Sequence, residues 1–296
     1  MIKPAFDKPT SGETLKKIRM SKKYTQKFVT EGIISQSTYS KIERGEVEPT
    51  YSKFMALLKR LDVSPEEFNY LSNDHSQTDR DKIINDFFLL NYNNSADLVL
   101  IRSRIKRYLN SHKDYVLQDI FYICEALILI NENRDYDQAV IFANKVWKRL
   151  EKFDRWFLME IRLINTILFI FPIETAINIS EKTVGILEEY SSREGKVLLN
   201  NIQINLALLL IRNKQYKVAN KMLDTVIKRL KDEKNYYLLA FAYIRKGIAL
   251  RLLTYKKSDF YLEKGLSLLE LFEDPKLYEV LSTEIDFYTK KTPNAH

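Results

Sequence analysis

At 296 residues the chain is long enough for two domains and a sizeable core, and its seven Gly and seven Pro, set among abundant Leu, Ile, Lys and Glu, point to a fold that is nearly all helix. The net charge of +8 suits an anionic partner. It is unevenly spread, because residues 1–72 carry 13 Lys/Arg against 9 Asp/Glu and residues 73–296 carry 34 against 30, so the excess is densest in the short N-terminal part.

Residues 1–12, with Pro4, Pro9 and Gly12, read as an irregular arm. A first helix is expected from Glu13 to Ser21, with Leu15, Ile18 and Arg19 on its inner side. The stretch TQKFVTEGIISQSTYSKIERG, Thr25 to Gly45, has the pattern of a helix-turn-helix. Thr25 can cap a short helix with Phe28 and Val29 facing inward, Gly32–Ser35 makes the turn, and Ser35 caps a second helix from Gln36 to Arg44. Tyr39 and Ile42 give that helix one narrow apolar stripe, while Gln36, Ser37, Thr38 and Lys41 project polar groups from its other side, a face suited to base edges in a major groove. Glu46–Thr50, closed by Pro49, reads as a turn. A fourth helix follows over Tyr51–Leu61 with Phe54, Leu57, Leu58 and Leu61 at core spacing, and a fifth begins after Ser64 with Pro65 at its first position. The polar stretch SNDHSQT marks a domain boundary, giving a DNA-binding domain over 13–72, a linker over 73–78 and a second domain over 79–296.

The second domain reads as one helix after another, with an internal repeat. Residues 198–230 form a helical hairpin with small Ala207 and Ala219 and a turn at Asn213–Tyr216; residues 123–150 repeat it with Tyr136 and Ala139, 161–187 with Ala176, and 243–269 with Gly247. Ala139, Ala176 and Ala219 are spaced by 37 and 43 residues, the period of stacked helical hairpins, and the Tyr opening a second helix is expected to wedge between neighbours.

The run Ser35–Gly45 followed by Pro49 resembles the Cro/repressor-like helix-turn-helix, with the turn one residue short and Gly32 placed early. That resemblance implies a five-helix domain, an ion pair between Arg19 and Glu43, a phosphate contact from Gln26, base contacts from Gln36, Ser37 and Lys41, and backbone contacts from Thr38 and Arg44. The hairpins resemble degenerate tetratricopeptide repeats. The combination resembles the RRNPP regulators of Gram-positive bacteria, and YSKFMALLKRLDVSPEEFNYLSNDH resembles their Rgg/MutR branch. This implies an all-α chain, an N-terminal repressor-like domain followed by a right-handed solenoid. It also implies a homodimer on a pseudo-palindromic double-stranded DNA operator, controlled by a short signalling (pheromone) peptide in the concave face of the repeats.

Counting back 14 residues from each second-helix alanine reaches Glu125, Arg162 and Asn205, and the equivalent place before Gly247 is Arg245. With Asn201 one turn before Asn205 and Asn165 beside Arg162, these residues are expected to form a polar ladder lining the peptide site. Asn amides can hold an extended backbone, and Arg162 and Arg245 can fork onto carboxylates.

Other functions lack residues to perform them. His75, His112 and His296 fall in a linker, a loop and the C-terminal residue, and no metal-ligand spacing, phosphate loop or nucleophile elbow occurs, so neither an enzyme nor a cofactor is expected. Cys124, within FYICEALILI, reads as a buried small hydrophobe and favours a reducing compartment. Arg162, Asn165 and Glu174 interrupt the greasiest stretch, Ile161–Ile179, and MIKPAFDKPTSGE lacks an apolar signal core, so a cytoplasmic chain without membrane contact is expected. The competing reading is a helical-repeat adaptor whose small domain does not read DNA.

Overall fold

The computed structural model describes residues 10–72, 78–90, 95–133 and 135–289, and these contain helices and turns without a strand. The chain divides into two compact units, one ending at Leu89 and the other beginning at Leu90. The division thus follows helix α6, Asp79–Leu89, one helix later than the polar boundary in the sequence suggests; residues 73–77, and His75 with them, lie outside the described residues.

The first unit begins earlier than periodicity indicates. Helix α1 spans Ser11–Ser21, because Thr10 caps it reciprocally with Glu13: the Thr10 hydroxyl accepts from Glu13 N–H at 3.1 Å and Glu13 accepts from Thr10 N–H at 2.8 Å. Gly12 is therefore a helical residue and not part of an arm. Helices α2 (Gln26–Thr30), α3 (Gln36–Glu43), α4 (Tyr51–Arg60) and α5 (Pro65–Ser72) complete the five. Leu15, Ile18, Val29, Tyr39, Ile42, Leu57, Leu58, Leu61 and Phe68 form one buried core. Phe28 is a correction: it is 44 % exposed, because α2 is too short to bury both neighbours, and its ring packs against Tyr24 at 4.7 Å under the Arg60 guanidinium.

The second unit comprises α7 (Ser95–Leu109), α8 (Tyr115–Asn133), α9 (Tyr136–Leu150), α10 (Leu158–Ile167) continued by a 3₁₀ turn at Leu168–Ile170, α11 (Ile173–Glu188), α12 (Arg193–Arg212), α13 (Tyr216–Asp232), α14 (Tyr236–Leu252), α15 (Ser258–Leu271) and α16 (Pro275–Thr289). Each first helix touches the next, α8 on α10, α10 on α12, α12 on α14 and α14 on α16, and α9, α11, α13 and α15 lie behind them as second helices. Close packing is set by small residues: Ala139, Ala176, Ala207 and Ala219 are fully buried, and a Cβ on Gly247 would meet Leu262 at 2.6 Å. The tyrosine wedge is not uniform. Tyr216 is half-buried, but Tyr136 is 54 % exposed at the solvent end of α9. Cys124 is buried in α8, where burial raises its thiol to about 12.

Candidate nucleic-acid interface and first-helix face

Helix α3 exists as a separate eight-residue element because both ends are capped. The Ser35 hydroxyl accepts from Thr38 N–H at 3.1 Å, and Gly45, at φ +73°, lets Gly45 N–H reach Ile42 O and Glu46 N–H reach Lys41 O. Tyr39 and Ile42 are buried, at 0 % and 2 % exposure, and this fixes the rotation of the helix. Gln36, Ser37, Thr38, Lys41 and Arg44 are all exposed on its other sides. The Lys41 side chain makes no hydrogen bond or ion pair among the described residues. Ser37 and Thr38 share the Ser35 hydroxyl, at 2.9 and 2.7 Å. Arg44 is engaged by Glu46 (2.5 and 3.1 Å) and Ser40 (2.7 Å), an exposed pair that solvent and salt weaken and a phosphate can displace.

Behind this face a bonded relay links α1, α2 and α3. Arg19 forks onto Glu43 at 2.6 and 3.0 Å, with side chains 13 % and 3 % exposed, and also donates to Tyr24 O at 2.9 Å. Gln26 Nε2 donates to Glu43 at 2.8 Å, and Gln26 Oε1 accepts from Gln36 at 3.4 Å. Gln26 is thus occupied on both ends of its amide, and a phosphate contact from it must exchange one of these bonds. Burial raises the Glu43 carboxyl, but hydrogen bonds from Arg19 and Gln26, with the Arg19 charge, outweigh it and hold the group below the usual carboxylate range. The Tyr39 hydroxyl lies beside this pair and is pushed up, first by burial and then by the Glu43 charge.

The shortened turn is held from below by residues that the sequence reading did not single out. Gly32 takes φ +73°, and Ile33 and Ile34 N–H both bond to Thr30 O. Thr30, buried, turns its hydroxyl back onto Gln26 O at 2.9 Å. From α4, Lys53 donates to Ile33 O at 2.7 Å, and Arg60 donates to Phe28 O at 2.6 Å and Glu31 O at 3.0 Å, satisfying the carbonyls left open at the end of α2. The signal for these two was their position on the exposed side of α4 next to a turn with orphan carbonyls.

On the first helices, three of the expected ladder residues are joined by side-chain bonds. Asn205 Nδ2 donates to Asn165 Oδ1 at 3.1 Å, Arg245 Nη1 donates to Asn205 Oδ1 at 3.0 Å and to Ile204 O at 2.8 Å, and Arg245 Nε reaches Glu284 on α16 at 3.2 Å. The bonded positions are 40, 40 and 39 residues apart, one per hairpin. Arg162 is not in this register: it lies one turn earlier on α10 and pairs with Glu194 at 3.5 Å. Asn201 is half-exposed on α12, and Glu125 pairs sideways with Arg102 of α7 at 3.1 Å. Glu284, the far end of the ladder, was missed because among the described residues no second helix follows α16 on which to align it.

A helix-turn-helix family model matches residues 15–68. No curated protein sequence matches the chain. Among solved structures, the chain is similar to a Listeria monocytogenes EGD-e protein whose role as a transcriptional regulator is itself a proposal (22 % identity, 96 % of this chain and 99 % of that one, TM-score 0.75). It is similar to Bacillus thuringiensis PlcR in complex with the peptide PapR7 and DNA (20 %, 92 % and 98 %, TM-score 0.71). It is also similar to the Streptococcus dysgalactiae SHP pheromone receptor Rgg2 (17 %, 94 % and 99 %, TM-score 0.72). The chain therefore shares the fold of these proteins over nearly its whole length.

Proposed function

We propose that the chain is a sequence-specific DNA-binding transcription regulator whose repeat unit binds a short signalling peptide. The observation that carries the reading is α3: a rigidly capped helix with one buried stripe, presenting Gln36, Ser37 and Lys41 outward. Such side chains donate to and accept from base edges, and Thr38 and Arg44 flank them for phosphate oxygens. One helix of eight residues reads only a few base pairs, so useful specificity calls for two copies on a two-fold operator, hence a homodimer. The PlcR complex with peptide and DNA, and the pheromone receptor Rgg2, support the same division of labour here. A peptide lying across α10, α12 and α14 would meet Arg162, Asn165, Asn201 and Asn205, amides for its backbone and a guanidinium for a carboxylate, with Arg245, 6 % exposed and paired with Glu284, holding Asn205 in place from within. No described helix is long and apolar enough to cross a membrane, and we place the regulator in the cytoplasm, where DNA is.

The test is a band-shift titration of the full chain against DNA upstream of its own gene, with and without the peptide fraction of spent culture medium. A retarded band whose midpoint moves with the peptide fraction is expected. In calorimetric titration with a peptide purified from that fraction, Asn205→Ala and Arg162→Ala should each weaken binding while DNA affinity stays. Unchanged peptide affinity in both variants would remove the ladder from the site.

A further inference from the structure

Between the N-terminal ends of α12 and α14, against the end of α15, lies a cavity of about 800 Å³. Its rim carries Arg193, Lys196 and Lys234, and its wall Val197, Tyr237 and Phe272. The three cations are exposed and form no ion pair among the described residues. Glu233, exposed and accepting from Asn200 at 2.8 Å, is the lining carboxylate, so the lining carries three cations against one anion and stays net positive. Lys234 is fixed at this rim by its left-handed backbone, φ 54°. The wall is aromatic and partly open: Tyr237 and Phe272, 49 % and 39 % exposed, have ring centroids 6.0 Å apart, and Phe241 continues the surface 5.5 Å from Tyr237.

The cavity lies on the same helix faces as the ladder. Val197, Asn201 and Asn205 follow one another at turn spacing along α12, and Tyr237, Phe241 and Arg245 do so along α14. Eight helical residues rise about 12 Å, the length of three to four extended peptide residues. Resting on the reading of the repeat unit as a peptide receptor, we infer that this cavity anchors the C-terminal end of the ligand. It takes a large apolar or aromatic last side chain against Val197, Tyr237 and Phe272, with the free α-carboxylate over Arg193, Lys196 and Lys234. The net positive lining disfavours the ammonium end of a peptide at this position. The ligand is thereby a peptide with an unmodified, hydrophobic C-terminus, its preceding three or four backbone amides running past Asn201 to Asn205.

The experiment is affinity selection by the full chain from two equimolar random heptapeptide mixtures, one with free C-termini and one amidated, read by mass spectrometry. Wild type, Lys196→Glu/Lys234→Glu and Asn205→Ala are compared, with circular dichroism as a check that all three keep their helix content. Wild type is expected to retain free-acid peptides ending in Phe, Tyr or Leu roughly tenfold better than their amides, about what one charge-assisted contact contributes. The charge-reversed variant loses that preference, and Asn205→Ala weakens retention without changing it. Equal retention of acids and amides, or a preference that survives charge reversal, overturns the assignment. Enrichment of amidated peptides with Asp or Glu near the end gives the cations to a side-chain carboxylate and overturns the terminal placement. If retention shows no end preference but falls in Asn205→Ala, the receptor reading stands and the cavity assignment fails. If the end preference holds while Asn205→Ala changes nothing, the cavity stands and the ladder fails. Retention of no peptide removes both.

Discussion

Two residues of the first unit bear more of its structure than their size suggests. Glu43 accepts from Arg19 and Gln26 at once, so Glu43→Ala strands a mostly buried guanidinium and frees the amide that steadies Gln36. The expected loss is roughly 3 kcal/mol, at the low end for a buried pair because Arg19 keeps some water contact. Both tryptophans, Trp147 and Trp156, lie in the second unit, so a transition seen by circular dichroism and silent in tryptophan fluorescence reports on the first. The folded pKa of Glu43 is depressed, so its contribution is present above the unfolded value and drains away as pH falls through the folded one. The tryptophan-silent transition should therefore drop in temperature below about pH 4, and drop less in Glu43→Ala; equal acid sensitivity in both would contradict the account. At Gly12, a Cβ would stand 1.8 Å from Ile42 O, a backbone atom that cannot swing aside. Gly12→Ala should push α1 off α3 at a cost of about 3 kcal/mol, the upper range for overpacking. A variant that melts like wild type would show that the two helices are not pressed together there.

Elements were legible where their signals are local. The caps Thr25 and Ser35 and Pro65 at a helix start each act within four residues, and α2, α3 and α5 follow from them. The Arg19–Glu43 pair, 24 residues apart, was reached through resemblance and not from periodicity. The start of α1 was missed because a helical glycine is rare unless another backbone presses on it, and that pressure comes from α3. The ladder failed at two rungs: Glu125 pairs sideways with Arg102, and Arg162 falls out of register for a physical reason. Asn205 precedes Ala219 by 14 residues, but Asn165 precedes Ala176 by only 11, because α10 gives way to a 3₁₀ turn at Leu168–Ile170 before Pro172. Counting 14 back from Ala176 therefore lands one helical turn early, on Arg162. The turns also explain how so few glycines suffice: Lys214, Lys234, Thr254 and Glu273 follow helices with φ between 52° and 62°. Lys214→Gly relieves that strain after α12 and should stabilise the second unit by about 1 kcal/mol. A fall in the tryptophan-detected melting temperature would mean that the Lys214 side chain contributes more than its backbone loses.

At the scale of the molecule, the two units have different chemistry. The first is small, carries its positive excess within residues 1–72 and is stiffened by the relay from Arg19 to Gln36, which holds α3 against the core. The second stacks hairpins whose first helices carry amides and guanidinium groups amid apolar neighbours. On the function proposed above, a peptide on the second unit that alters DNA binding must shift operator affinity by the same factor as the operator shifts its own. Such coupling requires that the α3 face reads bases. The direct measurement is footprinting and anisotropy of the full chain on its upstream DNA, over a salt series, for wild type, Lys41→Ala and the Gln36→Ala/Ser37→Ala/Lys41→Ala variant. Lys41→Ala should cost roughly 1–3 kcal/mol on the specific site and less on unrelated DNA, and the triple variant should lose the footprint while keeping salt-dependent non-specific binding. An unchanged footprint and affinity in the triple variant would contradict the account.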